Sequence, residues 1–152
     1  MACINCTESD EIIVQLQKCN KKTPKFTLEG EIKLCKVVDI YDGDTCRVVF
    51  NHNNHIHKWN IRMTGYDTPE MRPSKSLPNR DEIKAKAIES KMYLKSLIMN
   101  ENQLVYLKCG EFDKYGRLLG EMYVNKEDTI SVNQQMIDNK YGYEYHGGTK
   151  KV

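Results

Sequence analysis

Four short, well-separated stretches hold the residues of this chain that could do chemistry: Asp42-Gly43-Asp44-Thr45, Arg62, Asp67-Thr68-Pro69-Glu70 and Asp113-Lys114-Tyr115-Gly116-Arg117. An Asp beside a turn bonds its own backbone cheaply, so Asp42 alone reads as structural. Asp44 is different: it lies just inside a returning apolar run, where a carboxylate must find a cation or donors. The Asp-x-Asp spacing is not an EF-hand loop, because the other ligand positions and the closing Glu are missing. A calcium or magnesium ion at this point would have to take further oxygens from elsewhere in the fold. Asp67 and Glu70 can supply carboxylates. Thr68, biased towards extended backbone by Pro69, can hold its carbonyl in a fixed direction. Two carboxylates, one carbonyl and waters around a metal leave room for a phosphate oxygen. Arg62 and Arg117 can offer that phosphate planar, forked donors that Lys cannot match, and Glu70 can orient or deprotonate a water.

The elements that must position these residues follow from periodicity. From Glu31 the pattern is strand-like through EIKLCKVVDIY, TCRVVFNH and HIHKWNIRM, with a polar turn at NHNN, residues 51–54. Trp59, Ile61 and Met63 alternate with Lys58, Asn60 and Arg62, which puts Arg62 on the face opposite Met63. YDTPEMRPSKSLPN reads as a long loop with three prolines. RDEIKAKAIESKMYLKSLIMN has a helical pattern, with Ile83, Ala87, Met92 or Tyr93, Leu94 and Leu97 on one side and Asn79 as N-cap. NQLVYLKC and RLLGEMYV predict two more strands, and TISVNQQMIDNKYG a second helix ending near Gly142. Five strands with an interposed helix suggest a small, partly closed barrel.

The 152 residues fit one domain. With 29% charged residues and a formal charge of +2, a polyanionic partner is permitted but not demanded. No signal peptide or membrane-length apolar segment is visible, so an intracellular, cytoplasmic, monomeric protein is the default expectation. Of the six cysteines, Cys3-x-x-Cys6 with Cys19 makes a partial zinc set lacking a fourth ligand, and free thiols are expected. Cys35, Cys46, Met92 and Met99 read as core, and His52, His55 and His57 as solvated. Residues 1–29 read as an N-terminal extension in which Ile12–Leu16 forms a short helix or strand.

DGDT at 42–45, Arg62 with DTPE at 67–70, and DKYGR at 113–117 resemble, in order and spacing, the active-site blocks of the staphylococcal-type nuclease (thermonuclease) family. The resemblance implies a mostly β fold: a five-stranded OB-type barrel over residues 30–142, flanked by two to three helices and followed by an aromatic, Gly-rich basic tail at 143–152. It implies that Asp44, Asp67 and the Thr68 carbonyl bind Ca²⁺, with Asp42 shaping the metal loop from behind. By the same resemblance Arg62 and Arg117 contact the scissile phosphate, Glu70 activates water, and Lys114 and Tyr115 contact nucleotide phosphate. Tyr141 and Tyr145 are the candidates for stacking on a base. The implied activity is calcium-dependent hydrolysis of DNA, and of RNA as well, with little sequence specificity, a preference for single-stranded or frayed substrate, and 3′-phosphate ends. The rival is an inactive nucleic-acid-binding or scaffold module on the same fold. Two features depart from or extend the pattern. TGY at 64–66 stands where the family has a more aliphatic run, so Gly65 is expected to loosen that strand end; the HGGTKK tail resembles those of large-DNA-virus members.

Overall fold

The computed structural model describes residues 4–99, 102 and 104–147. In chain order its elements are α1 (Asp10–Lys18), β1 (Ile32–Asp42), β2 (Thr45–His52), β3 (His55–Met63), β4 (Tyr66–Asp67), α2 (Arg80–Ile98), β5 (Leu104–Phe112), β6 (Leu118–Tyr123), α3 (Val132–Asp138) and β7 (Tyr143–Glu144).

Period-2 alternation builds the barrel. In β2 the side chains of Cys46, Val48 and Phe50 are buried, while those between them are partly exposed. β2 returns into β3 through Asn53 and Asn54, both at positive φ (52° and 66°), a left-handed turn that Asn tolerates and that matches strand twist. The five long strands close in the order β1-β2-β3-β6-β5, as the OB-type expectation requires. β1 spends its first half on β5 and its second half on β2, with register irregularities between Val37 and Asp39 and between Ile40 and Asp42. Such bulges let one strand bend between two partners and close the barrel. β3 and β6 run parallel, Ile61 opposite Leu118 and Met63 opposite Gly120.

The core fills the barrel with Val37, Val48, Ile61, Met63, Val105, Leu107, Leu118 and Met122, and is capped by Leu94 and Ile98 of α2 and by Val132 and Met136 of α3. Asn133 fastens α3 to the barrel: its amide donates to the Thr64 and Gly120 carbonyls (2.8 and 3.0 Å) and its oxygen accepts from the Met122 N–H. Leu28, just ahead of β1, is also in the core. The N-terminal candidate segment is a helix: α1 is capped by Ser9, and none of its residues is buried.

Three expectations need correction. Asn79 makes no side-chain cap bond and has φ −102°, ψ 25°, because the chain enters α2 through a turn in which the Arg80 N–H donates to the Leu77 carbonyl. Met92 is 54% exposed, since the buried stripe of α2 runs Ala87, Ser90, Leu94, Ile98 and passes it by; Tyr93 packs against the core instead. The second helix is shorter than its pattern, running only from the Ser131 cap to Asp138. Cys6 and Cys19 are exposed free thiols, Cys35 and Cys46 are buried, and Cys3 and the tail beyond residue 147 lie outside the described residues. No helix among the described residues is long and apolar enough to cross a membrane.

Candidate active site

The turn between β1 and β2 is pressed against the rest of the site. A Cβ on Gly43 would come within 2.8 Å of Thr68 Cγ2 and 2.9 Å of Ser90 Cβ, so only glycine fits. The Asp44 N–H donates to Asp42 Oδ1 (3.1 Å), the self-bonding turn expected of Asp42. On the other side the Asp44 carbonyl accepts from the Met63 N–H (2.8 Å), and the Tyr66 hydroxyl donates to the Gly43 carbonyl (2.7 Å). Burial holds the Tyr66 hydroxyl well above its ordinary pKa, so it stays a donor.

These clamps fix Asp44 beside Asp67, both 5% exposed. Asp44 Oδ2 accepts from the Thr68 N–H (3.2 Å) and hydroxyl (3.1 Å), and its Oδ1 from the Thr45 hydroxyl (3.1 Å). Asp67 Oδ1 accepts a second contact from the Thr68 N–H, at 3.0 Å. Arg62 lies between the two carboxylates, its Nη1 3.4 Å from Asp44 and its Nη2 3.4 Å from Asp67, and is further anchored by the Met63 and Tyr66 carbonyls. One guanidinium cannot neutralise Asp44, Asp67 and the neighbouring Asp42. Burial, then the Asp42 charge, push the Asp44 carboxyl above its usual range, with Arg62 opposing.

Gly65 does not loosen this strand end. It takes a left-handed turn (φ 86°) that sends Tyr66 inward to full burial, and its carbonyl accepts from the Tyr145 N–H (3.0 Å) while β4 pairs with β7.

The second arginine comes from an exposed turn. Asp113 Oδ1 accepts from the Tyr115 and Arg117 N–H groups (both 2.9 Å), and Oδ2 from Arg117 Nε (2.7 Å). Partial burial raises the Asp113 pKa, but these Arg117 and Tyr115 donors outweigh it and the carboxyl lies below its ordinary range. Tyr115 is 71% exposed, with Lys114 Nζ and Arg117 Cζ each 5.2 Å from its ring centre.

Asp42, Asp44, Arg62, Asp67, Glu70 and Arg117 all line one cleft of about 410 Å³, together with Tyr41, Thr45, Arg47 and Asn60. Thr68 is buried beside Asp67, and its N–H and hydroxyl donate to Asp44. Lys114 and Tyr115 are outside the wall, on the turn that carries Arg117. Tyr141 stacks on Tyr93 (centroids 4.2 Å apart) and lines a second, larger cavity that shares Glu70 with the cleft. Tyr145 lines neither. Sequence reasoning placed Asp113 in a chemical block without its role of holding Arg117, and missed Tyr66 and Ser90 as supports of the site. Asp113 had a signal, since an Asp three residues before a Gly is turn chemistry. Tyr66 and Ser90 had none, because they act on residues far away in sequence.

The donor set suits a hard cation. Among the described residues no three His, Cys, Asp or Glu side chains group tightly enough to hold an ion by themselves. The adjacent Asp44 and Asp67, with Arg62 between them, nevertheless offer hard oxygens at a cleft that admits water. Ca²⁺ and Mg²⁺ complete such sets with carbonyls and waters.

Comparison with known proteins bears on this geometry. The chain is 27% identical over 122 residues to an uncharacterized protein of the archaeon Methanocaldococcus jannaschii, a match covering 71% of this chain and 56% of the relative. The chain thus spans little more than half of that relative's length. The family model described as staphylococcal nuclease homologue matches residues 60–149, which takes in Arg62, Asp67, Glu70 and Arg117 and leaves Asp42 and Asp44 to stand on their contacts. With more than half its length matched, the chain belongs to the staphylococcal nuclease homologue family.

Proposed function

We propose that this chain is a calcium-dependent nuclease, hydrolysing phosphodiester bonds of DNA and also of RNA in a domain spanning residues 30–142, with residues 1–29 an N-terminal extension and 143–152 a tail. The observation that carries the reading is the convergence of Asp44, Arg62, Asp67, Glu70 and Arg117, from four separate segments, on one water-accessible cleft. Asp44, Asp67 and the Thr68 carbonyl would hold Ca²⁺, and Asp42 keeps the Asp44 loop in shape. When bound, the ion supplies positive charge against the phosphoryl oxygens.

The chain's own residues account for the rest. Arg62 and Arg117, which line the same cleft, hold the scissile phosphate and stabilise charge that grows on its oxygens. Glu70, exposed at the cleft edge, takes a proton from the attacking water. The water oxygen bonds to phosphorus as the bond to the 5′ oxygen breaks, and that oxygen takes a proton from solvent water at the open cleft, leaving a 3′-phosphate and a 5′-hydroxyl. Lys114 and Tyr115, on the exposed turn, would hold flanking nucleotide phosphate. Tyr141 and Tyr145 are the candidate base contacts, and the geometry favours Tyr141, which opens on the cavity beside Glu70. Every cleft contact assigned here reaches phosphate rather than base edges, so little sequence preference is expected. Single-stranded or frayed substrates reach such a cleft most easily.

The test is digestion of single-stranded DNA in calcium, in magnesium and in EDTA, with Glu70→Gln beside the wild type. Cutting that needs calcium, stops in EDTA, falls by about 10²–10³ in Glu70→Gln and leaves 3′-phosphate ends is the expected outcome. Tight binding without cutting in either metal would leave a nucleic-acid-binding module instead.

A further inference from the structure

The largest cavity among those described is about 860 Å³, twice the volume of the cleft, and Glu70 lines both. We propose that it receives the base of the nucleotide next to the scissile phosphate, on the Glu70 side. The proposal rests on the nuclease reading of the cleft and adds a base site to it.

The chemistry of the walls selects the ligand. The apolar lining comes from Pro69, Leu77, Ile83, Ile137 and the ring of Tyr141. Around it the charges cancel: Arg72, Lys86 and Lys140 are matched by Glu70, Glu82 and Glu89, with Lys86 and Glu82 paired at 3.2 Å. A phosphate therefore gains no net attraction there, whereas a flat uncharged heterocycle gains apolar contact and finds polar groups at the rim. Pockets of about 300–1,000 Å³ with that composition are typical of small-molecule sites.

The cavity is also built rigidly onto the catalytic half. Tyr141 is held by stacking on Tyr93, and its carbonyl accepts from the Ser90 hydroxyl at 2.5 Å. Ser90 is the same residue that packs against the Gly43 turn. Gly142 lies so close to the Tyr66 ring that a Cβ there would be 2.6 Å from Tyr66 Cδ2. A wall pinned to Tyr66 and Gly43 keeps a fixed distance from Asp44, so a base seated on it would position its own phosphate in the cleft. A base must leave its partner to enter, so such a site would favour unpaired strands.

Dinucleotides, with a single scissile bond, test this. TpT is compared with its two analogues that lack one base, on either side, using wild type, Ile83→Trp and Leu77→Trp. Ile83 and Leu77 line the cavity and not the cleft, so the larger indole in each variant narrows the base site alone, and circular dichroism melts check folding. The wild type should lose roughly tenfold or more in kcat/KM with one abasic analogue, the scale of one base–aromatic stack. In the folded variants TpT should fall to that abasic level, while the abasic analogue itself is cut at its wild-type rate. If TpT keeps its advantage in both variants, the base lies elsewhere. Binding of the same dinucleotides in EDTA, without turnover, separates this idea from the nuclease reading. Base-dependent binding that Ile83→Trp abolishes supports the cavity even if nothing is cut, and base-independent binding overturns it.

Discussion

Arg62 and Arg117 face one cleft from opposite surroundings. The Arg62 side chain is 13% exposed and shared at 3.4 Å between two nearly buried carboxylates. Arg117 is 32% exposed, its Nε 2.7 Å from the one carboxylate of Asp113. The first half of the site is a buried cluster clamped by Met63, Tyr66 and Thr68; the second is a surface turn that Asp113 closes on itself. Removing one member of a buried ion cluster strands charge, whereas an exposed pair has water as a substitute. The comparison separates two quantities usually measured together: what a residue gives to the reaction and what it gives to the fold.

The largest expected effect comes from testing that separation. Arg62→Ala should destabilise the chain by about 3–5 kcal/mol, because Asp44 and Asp67 lose their shared cation. Arg117→Ala should cost about 1 kcal/mol or less. Cleavage should nevertheless fall by a similar factor, about 10²–10³, in both. Urea midpoints and cleavage rates on the same preparations decide it. Equal destabilisation by the two variants would erase the contrast.

A smaller effect sharpens the picture of the buried half. In Gly43→Ala the new methyl meets Thr68 and Ser90 at under 3 Å, backbone-anchored neighbours that cannot swing aside. Overpacking of this kind costs about 1–3 kcal/mol. Because the shift is passed to Asp44 next in sequence, the loss of cleavage should exceed what the lower stability explains. Measuring kcat well below the melting temperature distinguishes the two.

This division also tracks what the sequence could reveal. β2 and β3 were legible end to end, because alternating side chains and an Asn-Asn turn fix both register and reversal. The chemical blocks were legible by residue type. Their convergence was implied only by the family resemblance and not by periodicity, since it depends on two-residue strands, β4 and β7, too short to carry a period, and on the Tyr66–Gly43 bond across 23 positions. α3 was overdrawn because its apolar pattern runs on past the point where Lys140 turns left-handed (φ 64°) and ends the helix. The larger cavity could not be read at all: a loop, two helices and the C-terminal segment meet to make it.

The smallest effect is one of sign. Asp113 titrates below its ordinary value, so its contribution to stability is present above the unfolded-state pKa, about 3.9, and is lost as pH falls through the folded one. Asp44 titrates above its ordinary value, so the stability linked to it is present below the unfolded-state pKa and is lost as pH rises through the folded one. In EDTA at neutral pH, Asp113→Asn should therefore lower the urea midpoint, by the equivalent of about 1 kcal/mol for the weakened bond to Arg117. Asp44→Asn should raise it. The amide oxygen can keep the Thr68 donors, and the amide nitrogen can donate to the Thr45 hydroxyl, whose proton turns away. Added calcium should reverse the order by stabilising the wild type and not Asp44→Asn, since only the carboxylate holds the ion. A cation site that weakens the empty fold marks Asp44 as kept for binding; if Asp44→Asn lowers the midpoint in EDTA as Asp113→Asn does, both carboxylates are structural and the two halves of the site differ only in exposure.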